Sequence, residues 1–122
     1  MVNRYIYGRH AEYQVKKFLE KHGAIYTTRT AGSHTAFDII AVFPTFIMFL
    51  QVKRSKKLNK KEIRKVKEIS ERFPETAVTG IVRYEKGIKE LHLFRKGEEI
   101  KFIDALVELK DKNKIKKRGD KV

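Results

Sequence analysis

The chain has 122 residues and no cysteine, which allows one compact domain with a modest core and excludes both a disulfide frame and a thiolate metal site. Its 29 Lys and Arg against 15 Asp and Glu give a formal charge of +14, a balance that favours a polyanionic partner, nucleic acid before an anionic membrane surface. The start, MVNRYIYGRH, lacks the apolar core of a secretory signal, and the longest apolar stretch is too short to span a bilayer as a helix, so a soluble, intracellular protein is expected.

Residues 9 to 22 read as an amphipathic helix whose buried stripe is Ala11, Val15, Phe18 and Leu19, with His22-Gly23 as its stop. Glu12 lies about 100° round from Ala11, at the border of that stripe. From there it can reach inward toward a sheet or pair with Lys16 at i+4 on the surface. Residues 24 to 30, AIYTTRT, have the β-branched and aromatic content of an edge strand. Ala31 to Thr35 is a small, polar loop. In it Gly32 permits close backbone approach to a phosphate, Ser33 can donate to a phosphate oxygen, and His34 is a surface histidine.

Residues 36 to 54, AFDIIAVFPTFIMFLQVKR, predict two apolar strands folded back at Pro44-Thr45. A fold-back there pairs residues of constant sum, so Val42 faces Ile47 and Asp38 faces Gln51, and alternation puts Lys53 on the same face. Pro-Thr is not a favoured two-residue turn, and a bulge would shift the pairing by one. A carboxylate and an ammonium on such a sheet must be paired or metal-bound. Two readings follow: a structural Asp38–Lys53 ion pair with Gln51 as its neighbour, or a divalent-metal site built on oxygen ligands.

Asn59 with Glu62 resembles a capping box opening a second helix, with Ile63, Val66, Ile69 and Phe73 as its stripe and Pro74 as its end. The rest of that helix is basic through Lys60, Lys61, Arg64, Lys65 and Lys67, either a solvated face or a phosphate-tracking one. Residues 77 to 84 and 88 to 95 predict two strands joined through Glu85-Lys86-Gly87, with Gly80 marking a bulge or a close backbone approach and His92 structural. Residues 98 to 110 predict a last helix, and 111 to 122 a mobile basic tail after a single domain over 1 to 110. The expected order is α-β-β-β-α-β-β-α, an α/β fold with a mixed five-stranded sheet flanked by helices.

Asp38, then Gln51-Val52-Lys53, is similar to the signature of the PD-(D/E)xK nuclease superfamily. With Arg29-Thr30-Ala31-Gly32-Ser33 upstream and Gly8-x-x-x-Glu12 on the first helix, roughly residues 4 to 95 resemble archaeal-type Holliday junction resolvases. The resemblance implies a restriction-endonuclease-like fold and a homodimer that resolves four-way DNA junctions in recombination and repair. It implies a catalytic set of Glu12, Ser33, Asp38, Gln51 and Lys53. Mg²⁺, with Mn²⁺ as a substitute, would be held by Glu12, Asp38, the Gln51 amide oxygen and the Val52 carbonyl. DNA contacts would come from Arg9, Arg29, Gly32, His34, Arg54, Lys56, Lys57, Lys60 and Arg64. Gln51 departs from the family, which usually has Glu there, and this predicts weaker metal binding. The alternatives are another nuclease of the superfamily, acting on flaps or duplex, and a non-catalytic branched-DNA-binding protein.

Overall fold

The structure, a computed structural model, describes residues 4–30 and 36–105. Helix α1 spans Arg4–Lys21, followed by strands β1 (Tyr26–Arg29), β2 (Ile39–Val42) and β3 (Ile47–Lys53). Helix α2 (Lys60–Arg72) leads to strands β4 (Ala77–Tyr84), β5 (Ile88–Arg95) and β6 (Glu98–Ile100). The six strands lie in the sheet in chain order. All neighbours are antiparallel except β3 and β4, which are parallel and joined by α2. A parallel pair needs such a crossover, because no hairpin can return the chain in the same direction.

The two helices cover opposite faces of the sheet. Val15 and Leu19 of α1 pack with Ile39, Ala41, Met48, Leu50, Val78, Val82 and Leu93. Val66 of α2, with Ile63 and Ile69 beside it, packs with Phe37, Phe49, Ile81 and Phe94. Alternation along the central strands produces this: Met48 and Leu50 point to α1, while Phe49 between them points to α2.

Helix α1 ends as His22-Gly23 predicts. Gly23 takes φ +110°, the Gly23 N–H donates to Glu20 and the Ala24 N–H donates to Leu19, which together satisfy the last carbonyls. At the start of α2 the Asn59 side chain accepts from the Lys61 N–H at 2.8 Å. The fold-back at Pro44-Thr45 has the expected register, with Val42 opposite Ile47 and Ile39 opposite Leu50. Turn chemistry does not close it. Buried Phe43 and Phe46 do, stacked with centroids 4.5 Å apart over a Phe43 N–H to Phe46 carbonyl bond.

The sheet has six strands where five were expected, because residues 98 to 100 form β6 and not a helix start. Lys96 and Gly97 both have positive φ, 51° and 80°, the backbone of a tight two-residue hairpin turn, and Arg95 pairs with Glu98 across it. A helical stretch follows only at 102–105, and the rest of the expected last helix and the basic tail lie outside the described residues. Among the described residues no helix is long and apolar enough to cross a membrane.

Candidate active site

Asp38 lies one residue before β2, where the regular ladder stops. Its own N–H donates to the Leu50 carbonyl at 2.9 Å, although Leu50 is the partner of Ile39. Two residues of one strand therefore meet one of the other, the one-residue shift of a bulge. Continuing the constant-sum pairing would give the Val52 N–H to the Phe37 carbonyl. That carbonyl instead accepts the Thr30 hydroxyl at 2.7 Å, and the Val52 N–H donates to Asp38 Oδ2 at 2.8 Å. The carboxylate thus replaces a main-chain acceptor between β2 and β3. The expected face-to-face pair of Asp38 with Gln51 is corrected: Asp38 sits at the open end of the ladder, and no described hydrogen bond joins it to Gln51.

Gln51 and Lys53 alternate with Leu50 and Val52, which places them on the α2 face. Lys53 pairs with Glu62 of α2, Nζ to Oε1 3.6 Å, and not with Asp38. The structural Asp38–Lys53 ion pair is therefore absent. Glu62 was read as the second half of a capping box, yet its carboxylate turns to Lys53 and makes no described bond to the Asn59 N–H. No short-range pattern connects positions 53 and 62, since the contact exists only once α2 has crossed over the sheet.

From the opposite face, Glu12 of α1 reaches in toward the same strand ends. Its partner is Arg29 at the end of β1, Nε to Oε1 2.6 Å, and not Lys16. Asp38 senses both faces. Burial pushes its carboxyl above the usual carboxylate range, the Val52 N–H opposes this, the Glu12 charge raises it further, and Lys53 and Arg29 lower it. The structure therefore brings Glu12, Arg29, Asp38, Val52 and Lys53 into one electrostatic neighbourhood at one end of the sheet.

A partly buried carboxylate with a raised pKa beside a second carboxylate is relieved by added positive charge. Among the described residues no three His, Cys, Asp or Glu side chains cluster as a self-sufficient cage. The carboxylates that share this neighbourhood are those of Asp38 and Glu12, the second already engaged by Arg29.

Basic side chains line several surface hollows. Arg9, His10 and Tyr13 of α1 line one surface hollow with Arg29, and His10 lines another with Arg54 and Tyr84. Lys57 and Lys60 border a third hollow at the start of α2, and Lys60, Arg64 and Lys67 border a fourth beside Phe94. Arg54, Lys56, Lys57, Lys60 and Arg64 are exposed. Gly32, Ser33 and His34 lie outside the described residues. His92, expected to be structural, contacts Glu90 at 3.5 Å and Glu99 at 3.1 Å on β5 and β6.

No family model matches the chain, and no curated protein matches it. Among solved structures it is similar to Archaeoglobus fulgidus Hjc, described as a Holliday junction resolvase from an archaeal hyperthermophile. The similarity has 20% identity and a TM-score of 0.47 and covers 73% of this chain and 72% of the other. At that level it is a likeness of outline and decides nothing about chemistry.

Proposed function

We propose that this chain is a metal-dependent, structure-selective endonuclease that resolves four-way DNA junctions by paired phosphodiester hydrolysis. The observation that carries the reading is the Asp38 carboxylate. It stands at the open end of the β2–β3 ladder, within the fields of Glu12, Lys53 and Arg29. A carboxylate kept half-buried with no side-chain cation among the described residues in contact is costly to the fold. A site that takes a cation gives that cost a purpose.

Asp38, the Gln51 amide oxygen and the Val52 carbonyl would hold Mg²⁺, with Mn²⁺ as substitute and Glu12 adding charge or positioning water. Bound there, the ion supplies charge to the phosphate and a lower pKa to its water. Lys53 stabilises the nucleophile or the negative charge that develops at phosphorus. Arg29, already next to Glu12, offers its remaining donors to a phosphate. Water oxygen forms the new bond to phosphorus and the ester oxygen leaves, so no cysteine or histidine nucleophile is needed. The exposed basic side chains from Arg54 to Arg64 would follow the backbone of branched DNA by phosphate contact, with little base readout. A homodimer would make the two matched cuts that a two-fold junction requires.

The test is a Mg²⁺ titration of the protein on a labelled four-way junction, with flap and linear duplex alongside. Junction cleavage that depends on Mg²⁺, and an Asp38→Asn protein that binds junctions without cutting them, is the expected result. Full cleavage by that variant sinks the site. Preferred cutting of flaps or duplex would move the assignment to another nuclease of the superfamily. The neutral Gln51 favours one rival, a branched-DNA-binding protein without catalysis; binding with no nicking at any Mg²⁺ concentration would select it.

A further inference from the structure

We infer that Glu62 is a positioning residue for Lys53 and supplies, from α2, the negative charge that Gln51 does not bring. The inference rests on the nuclease reading above and adds to it a residue that the Asp38, Gln51, Lys53 pattern does not contain.

Three observations carry it. First, Gln51 and Lys53 are two apart on β3 and share the α2 face, so an acid at 51 would stand beside the lysine along the strand. The amide there leaves Lys53 without an anionic neighbour on its own strand. Second, the Glu62 carboxylate fills that role from the first turn of α2, 3.6 Å from Lys53 Nζ. Third, Glu62 does so instead of closing the capping box that its position three residues after Asn59 would allow, and the cap is left to Asn59 alone.

Stability does not account for the contact. The two side chains are 34% and 36% exposed, and ion pairs of that exposure add little to folding. What the pair does is restrict a long, flexible side chain. An unrestrained lysine samples many rotamers, and each sampled position away from the phosphate lowers the fraction of competent sites. The neighbouring cations are held in the same manner: Arg83, the cross-strand partner of Lys53, is fixed by Glu85 and Glu90, each at 3.1 Å.

The experiment compares wild type, Glu62→Gln, Gln51→Glu and the double variant. Positioning is read without catalysis, from the Lys53 ε-methylene signal in carbon-detected NMR, assigned by its loss in Lys53→Arg. The expected result is a distinct Lys53 signal in wild type that merges with the exposed lysines in Glu62→Gln and separates again in the double variant. Cleavage of a four-way junction should follow it: a roughly 2- to 5-fold lower kcat in Glu62→Gln, with KM and Mg²⁺ affinity unchanged, and recovery in the double variant. A Lys53 signal indifferent to Glu62 overturns the inference. So does a kcat unaffected by Glu62→Gln, or a loss that Gln51→Glu does not restore. If wild type cuts no DNA, the nuclease reading falls while the NMR comparison still decides whether Glu62 holds the lysine.

Discussion

A single oxygen of Asp38 joins pairing to charge. Because burial raises its pKa, the folded protein holds a proton there more tightly than the unfolded chain, whose value is near 3.8. Stability is then lower when the group is ionised, and it is regained as pH falls through the raised folded value toward the unfolded one. Asp38→Asn keeps an acceptor for the Val52 N–H and removes the charge. The metal-free variant should melt a few degrees above wild type at pH 7, a gap that closes as pH falls toward 4. Scanning calorimetry across pH checks it, and a variant that melts lower at every pH would contradict it. Position 51 offers a second measurement. Restoring a carboxylate with Gln51→Glu should tighten Mg²⁺ binding by about tenfold in calorimetry, since a charged oxygen ligand replaces a neutral one. No tightening would remove position 51 from the ligand set. Asp38 and Lys53 could be singled out from sequence, since polar groups within an apolar hairpin are conspicuous. Their partners could not: Glu12 finds Arg29, and Lys53 finds Glu62, through contacts that only the assembled layers create.

At the level of elements, the bounds of β4 and β5 and the cap of α2 followed from hydrophobic period and turn residues. The sixth strand did not, because Glu-Glu-Ile after a glycine also reads as the acidic first turn of a helix. The signal against that reading was present in Lys96-Gly97, which repeats the Lys86-Gly87 of the preceding hairpin, with φ values of 56° and 134° there. Gly80 was read as a bulge or a close approach, and the close approach is what the packing shows. A methyl group added at 80 would press on the Leu93 side chain, Leu50 Cδ1 at 2.8 Å and the His92 carbonyl at 3.0 Å. Gly80→Ala should therefore cost about 1–3 kcal/mol by overpacking between β3 and β5. Urea denaturation is the check, and a neutral result would mean that the two leucines repack freely.

On the scale of the whole molecule, a charge of +14 spread over exposed side chains predicts how binding responds to salt. If six or more phosphates are contacted, affinity for a four-way junction should fall at least about 1,000-fold between 50 and 200 mM salt. A titration that stays flat would exclude phosphate-dominated recognition. The order of the sheet has a separate consequence, for folding. β1 to β3 and β4 to β6 are two meanders that can each zip from their own hairpins, and the parallel seam between β3 and β4 closes only when α2 has swung across. Asp38 and Lys53 belong to the first meander, whereas Glu62 arrives with the crossover. Lys53 and Glu62 are nearer in the chain than Asp38 and Val52, so the lysine can gain its restraint as α2 folds back on β3, before the parallel seam to β4 makes the longer closure.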